Sequence, residues 1–333
     1  MQFSRILVRA ANWVGDAVMS LPALGAIRAR FPEAHIAVLA RPWVADLYAR
    51  EPFADQVIPY TAGRGAKDLA GKWRAAADLR ARKFDCAILL QNAFEAAALA
   101  WLARIPRRIG YDRDGRGWLL TDAVPVPKPG EIGRHQRFYY LELLRRAGVV
   151  SEYSSGDTVR LVGVARDAGG DAWVGVSPGA AYGSAKRWPP ESFAEAAVEV
   201  ASKTGAPVAL FGSADERLLC EQVERLIAGR ARVVNFAGQT SLRQFIDLAA
   251  ACRVFLTNDS GAMHIASALG VPTVAVFGAP DDVATGPAGE FSRIVREPVE
   301  CSPCLLRECP IDHRCMTRVA AGRVAREALE LLK

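Results

Sequence analysis

The stretch TNDSGAMHIASALGVPTVAVFG, Thr257 to Gly278, sets an acid, a hydroxyl, a glycine and a histidine ahead of an apolar run. Asp259, Ser260, Gly261 and His264 follow the apolar segment VFLTN and open the helical pattern GAMHIASALG. The first turn of a helix presents unpaired N–H groups and the positive end of the helix dipole, so it favours an anion. Ser260 and Gly261 are small enough to bring those donors against a diphosphate. Two structural alternatives stand beside this reading: Asp259 as a helix cap, and His264 as the maker of a buried hydrogen bond. A second stretch, SPGAAYGSAKRWPPESF (Ser177–Phe193), also follows an apolar run; its two glycines, Ser184 and Lys186 suit close approach to phosphate oxygens. It matches neither GxxxxGK[ST] nor GxGxxG. A third, NWVGDAVMSLPAL (Asn12–Leu24), has Gly15 for a tight turn and Asp16 near a helix start. Asp16 is either an N-cap or a carboxylate placed as a general base.

Positioning these groups requires strands that end just before them. RILVRA (Arg5–Ala10), HIAVLA (His35–Ala40) and FDCAILL (Phe84–Leu90) read as strands in the first half. AWVGVSPG (Ala172–Gly179), PVALFG (Pro207–Gly212), VVNFAG (Val233–Gly238), VFLTND (Val254–Asp259) and PTVAVFG (Pro272–Gly278) do so in the second. Amphipathic helical patterns separate them. GDAVMSLPALGAIRARF places Val18, Leu21, Leu24 and Ile27 at helical spacing, and ESFAEAAVEVASKTG ends at Gly205. Val-, Leu- and Ile-rich strands each followed by a helix predict parallel sheets covered on both faces. Ser, Gly and Asp accumulate over Val149–Asp171, which marks a break. The expected α/β fold is two doubly wound domains facing across a cleft, with ligands outside the carboxyl ends of the strands.

A chain of 333 residues suits two domains at about 150 residues each. No run approaches the roughly 18 to 20 apolar residues of a membrane span. The opening MQFSRILVRAANWVGD has no long apolar centre and reads as a strand entering a turn, so a cytoplasmic protein is expected. The net charge of +6 is uneven: residues 1–165 hold 24 Lys and Arg against 16 Asp and Glu, and the remainder 18 against 20. A basic first half suits an anionic partner, although solubility alone would also explain it. Cys301, Cys304, Cys309 and Cys315 cluster in CSPCLLRECPIDHRC. Their spacing misses the paired two-residue knuckles of common zinc sites, so free structural thiols are expected ahead of zinc.

VGDAVMSLPAL, RIGYDRDGRGWLLT (Arg108–Thr121), SPGAAYGSAKRWP, NDSGAMHIASALGVPTVAVFG and the cysteine tail together carry a resemblance over nearly the whole chain. The sequence resembles the ADP-heptose:lipopolysaccharide heptosyltransferases, and among them the heptosyltransferase II branch. The resemblance implies a GT-B architecture: an acceptor-binding Rossmann-like domain over residues 1–160, a nucleotide-sugar domain over 170–315, and a final helix, 316–333, crossing back to the first domain. It implies transfer of L-glycero-D-manno-heptose from ADP-heptose to the heptosyl-Kdo inner core of lipopolysaccharide, with inversion, by a monomer peripheral to the inner face of the inner membrane. Asp16 matches the family's catalytic carboxylate. Lys186, Ser184 and the helix start at Ser260–Gly261 would stabilise the leaving diphosphate with no required metal. Asp259 would face the donor sugar, with His264 supporting its loop, and Glu216 and Gly238 would meet the adenosine. The acceptor candidates are Asn92, Arg113, Arg116 and His135.

Rival readings are weaker. A same-fold transferase could deliver the first heptose to Kdo-lipid A, or another sugar. A nicotinamide oxidoreductase wants GxGxxG after the first strand, where AANWVGDAV supplies one glycine. A nucleic-acid binding module wants a basic stripe interleaved with aromatics, and here the basic residues are scattered among acids, as in YDRDGRG.

Overall fold

A computed structural model of the chain describes residues 2–63, 65–154, 156, 158–164 and 173–333. They form two compact units, Met1–Asp157 and Thr158–Lys333. The expected break at Val149–Asp171 contains this division; its residues 155, 157 and 165–171, like the first residue of the expected strand at Ala172, lie outside the described residues.

The first unit has six parallel strands: β1 (Arg5–Arg9), β2 (His35–Ala40), β3 (Gln56–Pro59), β4 (Cys86–Leu89), β5 (Arg107–Tyr111) and β6 (Asp122–Val124). Their order is β3-β2-β1-β4-β5-β6, so the chain reverses its direction of travel between β1 and β4. Leu7 pairs in register with Ala37 on one side and Ala87 on the other. The helices Leu69–Ala81 and Phe94–Leu102 bury Ala76, Leu79, Ala97, Leu99 and Ala100 with Leu7, Leu39 and Leu89 in one core. Each fully buried leucine contributes about 2 kcal/mol. The long helix expected from Gly15 is two helices, Val14–Met19 and Leu21–Arg30. Pro22 falls in the first turn of the second, where its missing N–H costs nothing, whereas inside a continuous helix it would clash with the preceding turn.

The second unit repeats the plan with β7 (Trp173–Ser177), β8 (Val208–Leu210), β9 (Val233–Asn235), β10 (Cys252–Asn258), β11 (Thr273–Phe277) and β12 (Ser292–Arg296), ordered β12-β11-β10-β7-β8-β9 and all parallel. The reversal lies between β7 and β10. Helix Pro190–Thr204 starts on Pro190 and stops at Gly205, whose φ of +70 suits the left-handed cap.

The last helix is Ala321–Glu330. Val324, Ala325 and Ala328 are buried in the second unit's core with Phe193, Ala197 and Val200. Its two buried alanines allow close approach to helix Pro190–Thr204, and this packing holds it on its own sheet. Among the described residues no helix is long and apolar enough to cross a membrane.

Candidate active site

In a doubly wound sheet the crevice lies outside the carboxyl ends of the strands where the strand order reverses. In the first unit that place is bounded by the segments following β1 and β4. Asp16 is the third residue of helix Val14–Met19, not its cap; Trp13 occupies the cap position and makes no side-chain cap bond. The Asp16 carboxylate accepts a hydrogen bond of 3.1 Å from the Tyr140 hydroxyl. Burial, with the nearby Asp16 charge, pushes the Tyr140 phenol well above its usual range, so it remains a donor. The loop bearing Asp16 is pinned at Asn12, which accepts from Arg9 at Oδ1 (3.1 Å) and from the Trp43 indole at its carbonyl (2.8 Å).

Next to Tyr140 on helix Gln136–Arg146, the Tyr139 hydroxyl receives Asn92 Nδ2 at 3.1 Å and Arg113 Nη1 at 3.4 Å. Arg116 Nη2 donates to Asn92 Oδ1 at 3.2 Å. His135 caps the same helix, its Nδ1 accepting from the Arg137 backbone at 3.1 Å. All five residues singled out in the first half therefore attach to one helix and to the segments after β1, β4 and β5. Arg116 needs correction as an acceptor contact. It is fully buried and also donates to the carbonyls of Tyr111 (2.9 Å) and Gln91 (2.5 Å). Burial lowers its guanidinium to about 10. Arg116 holds Asn92 in place, whereas Arg113 is exposed and pairs with Asp114 at 3.5 Å.

A second polar cluster in this unit went unread in the sequence. Glu95 accepts from Lys72 (2.5 Å), Tyr60 (3.0 Å) and Arg41 (3.4 Å). Arg9 and Arg41 are buried and lie 5.1 Å and 4.4 Å from the Tyr60 ring centroid. Burial and Arg41 bring the Arg9 guanidinium down to about 10. These residues are scattered over 87 positions of sequence, from Arg9 to Glu95, so no local motif announces them.

In the second unit the reversal is bounded by the segments after β7 and β10, which carry the two glycine-rich stretches. Lys186 ends a short 3₁₀ turn, Ser184–Lys186, and its ammonium meets Asp259 at 2.5 Å. Asp259 is buried and also accepts from Thr285 at 3.5 Å. Burial raises its carboxyl while Lys186 opposes the rise. The N-cap of helix Gly261–Ala268 is Ser260, whose Oγ accepts from Met263 at 3.3 Å; Asp259 is thus left for Lys186. His264 is buried one turn along that helix. Ser184 is exposed on the same turn as Lys186.

Asn258, buried at the end of β10, joins the two segments. It donates to the Pro178 carbonyl at 2.7 Å and accepts from the Trp188 backbone at 3.0 Å. Glu216 lies after β8, where its carboxylate closes a capping box with Ser213. A Cβ on Gly179 would lie 2.1 Å from a Glu216 oxygen, so a side chain there would displace the Glu216 carboxylate. Gly238, at φ +70, donates to the Gly212 carbonyl at 2.9 Å. Glu216 and Gly238 therefore share one corner with the turn after β7.

The cysteine-rich tail braces the Lys186 turn. Arg307 O accepts from the Ala185 N–H at 2.9 Å, and His313 Nε2 lies 3.0 Å from the Ala185 carbonyl. Tyr182, which donates to Leu305 O at 3.0 Å, sets its ring 4.7 Å beneath the Lys186 ammonium. All four tail cysteines are free thiols. Burial, with Cys301, Cys309 and Cys304 nearby, moves Cys315 up to about 11. Among the described residues no group of three or more His, Cys, Asp or Glu is arranged to hold a metal ion.

Two parallel six-stranded sheets, each with polar residues gathered where its strand order reverses, define a GT-B type glycosyltransferase. Residues 72–314 match glycosyltransferase family 9 (heptosyltransferase), and the chain belongs to that family. It is 33% identical over 306 residues to lipopolysaccharide heptosyltransferase 2 of Salmonella typhimurium, covering 88% of each chain. It is 32% identical to lipooligosaccharide heptosyltransferase 2 of Haemophilus ducreyi over 317 residues, 88% of each. The solved structure of the E. coli ADP-heptose heptosyltransferase II superposes with a TM-score of 0.82 at 30% identity, covering 98% of both chains. The protein is an enzyme that transfers a glycosyl group.

Proposed function

We propose that the enzyme moves a heptose from ADP-heptose onto the heptosyl-Kdo inner core of lipopolysaccharide, the second heptose addition, by a single inverting displacement. Supporting this choice over the first addition, the relatives at 32–33% identity are type 2 enzymes, while a type 1 relative stands at 28%. The second unit takes the donor. Gly261 and the following N–H groups face the diphosphate, and Ser184 and Lys186 add donors from the neighbouring turn. Lys186 shares its charge with Asp259, so one of its three N–H bonds is committed and two remain for phosphate oxygens. Asp259 then orients Lys186 and accepts from donor hydroxyls, while Glu216 and Gly238 meet the adenosine. His264 supports the Asp259 loop. As ADP departs, these donors stabilise the charge it gains.

The first unit takes the acceptor, through Arg113, Asn92 and the capped helix at His135. Asp16 removes the proton of the attacking hydroxyl, which the acceptor oxygen loses as it bonds to the anomeric carbon and the diphosphate leaves. Tyr140 holds the carboxylate for that task. An oxocarbenium-like transition state tolerates late proton removal, so an ordinary carboxylate suffices. No metal is needed for this scheme. The site of action is the surface of the inner membrane facing the cytoplasm, with the protein peripheral and monomeric.

The observation that carries this reading is that Asp16 and Asn92 follow the two strands at the order reversal of the first sheet, and Lys186, Asp259, Ser260 and Gly261 those of the second. Incubation with ADP-heptose and a panel of truncated inner-core acceptors, read by mass, tests it. The expected product is one added heptose on the heptosyl-Kdo acceptor only. Addition to an acceptor bearing Kdo alone would move the assignment to the first transfer.

A further inference from the structure

Five of the chain's seven tryptophans are exposed, and all five lie in the first unit: Trp13, Trp43, Trp73, Trp101 and Trp118. Tryptophan is normally among the most covered side chains. Trp13 and Trp43 flank the Asp16 loop, but the other three form a separate feature on the helical layer over one face of the sheet. Helix Leu69–Ala81 buries Ala76 and Leu79 beneath it and leaves Leu69 and Trp73 outward at i, i+4 spacing. Helix Phe94–Leu102 buries Ala96, Ala97, Leu99 and Ala100 and leaves Phe94 and Trp101 outward. Trp118, 71% exposed, stands between the rings of Phe94 (6.3 Å) and Trp101 (6.4 Å). The Lys72–Glu95 bridge of 2.5 Å ties the starts of the two helices together.

The surrounding charge selects the occupant. Leaving aside the buried Arg116 and the Lys72–Glu95 pair, segments 67–74 and 94–118 hold six Lys and Arg against three Asp and Glu. Outward indoles bordered by basic residues are the composition that settles into the headgroup layer of a bilayer: the rings sit at the apolar boundary and the cations meet anionic lipid. An apolar protein partner would leave that positive excess unmatched.

We propose that Trp73, Phe94, Trp101 and Trp118, with their basic border, dock the first unit on an anionic phospholipid surface. The inference deepens the reading above, since an acceptor carried on lipid gives such docking its use, and membership of the family by itself does not require this patch.

The test is co-sedimentation with vesicles of three parts phosphatidylethanolamine to one part phosphatidylglycerol, against pure phosphatidylcholine, at low salt. The wild-type protein should pellet with the anionic vesicles at least about tenfold more than with the neutral ones. The variant Trp73→Ser/Trp101→Ser/Trp118→Ser should lose about tenfold in partition while keeping the thermal midpoint and the turnover of a delipidated, soluble acceptor. Unchanged vesicle binding by the triple variant overturns the proposal. So does a concentration-dependent dimer, seen by sedimentation velocity, that the triple variant abolishes, because the patch would then be covered by a second copy. The soluble-acceptor assay separates this outcome from failure of the functional assignment: without transfer to any acceptor the assignment falls, whatever the vesicles show.

Discussion

At the residue scale the groups that matter most are those whose partners are far away in sequence. Asp16 and Tyr140 are 124 positions apart. Asp16 stood out in the sequence as either a helix cap or a general base, and the family resemblance favoured the base, whereas Tyr140 sits in an ordinary helical stretch, QRFYYLELLRR. Replacing Asp16 by Asn keeps the shape and removes the base. Turnover should fall by about 10²- to 10⁴-fold, with ADP affinity by calorimetry unchanged; a variant that retains most of its activity removes Asp16 from the reaction. Tyr140→Phe deletes only the donor, so it should lower kcat by about tenfold and leave the KM for both substrates alone. The Lys186–Asp259 pair calls for a cycle. Lys186→Ala strands a buried carboxylate, Asp259→Asn strands an ammonium, and the double variant strands neither. Donor affinity should therefore be strongly non-additive, with a coupling of about 1 to 3 kcal/mol; simple additivity would mean that the two act separately. Arg116 was misread for a physical reason. YDRDGRG has the composition of an exposed turn, and nothing local reveals that three internal acceptors take its guanidinium.

At the element scale the sequence revealed the interior of each sheet and blurred its borders. The strands readable from Val, Leu and Ile runs are β1, β2, β4, β7, β8, β9, β10 and β11. Those missed, β3, β5, β6 and β12, are edge strands or stand next to one, and they carry polar residues as in RRIGY and SRIVR, because less of their surface is covered. Helix Gln136–Arg146, which bears Tyr139 and Tyr140, is anchored by a charge cluster that gives a pH signature. Buried Glu142 accepts from Arg145 (2.7 Å), Arg146 (2.6 Å) and Tyr153 (3.0 Å). Chiefly through the Arg145 hydrogen bond, its carboxyl drops to about 2. A depressed carboxyl contributes stability that is complete above the ordinary glutamate range and is lost as pH falls towards 2. Glu142→Gln should therefore cost about 2 kcal/mol near neutrality. The gap from wild type should close between about pH 4.5 and 2, as urea unfolding followed by tryptophan fluorescence would record. A gap that stays constant with pH would mean that Glu142 contributes packing rather than charge.

For the whole molecule, the uneven charge gives the two substrates different dependence on salt. Residues 1–165 carry an excess of eight positive charges and the remainder an excess of two negative ones. The acceptor proposed for the first unit bears carboxylates and phosphates, so its approach gains from a field that acts over many ångströms. That range shrinks from about 30 Å at 0.01 M ionic strength to about 8 Å at 0.15 M. The donor proposed for the second unit would be held by short contacts, Lys186 and the N–H groups at Gly261 among them, on a unit with little net field, and close, partly buried contacts are screened far less. Over that range the KM of a delipidated inner-core acceptor should rise by about fivefold or more, while the KM of ADP-heptose changes by less than about twofold. Using the soluble acceptor keeps the lipid-facing tryptophans out of the measurement, so the change reports the acceptor's own charge. If salt instead moved the donor KM and left the acceptor's unchanged, the assignment of acceptor to the basic unit and donor to the other would have to be reversed.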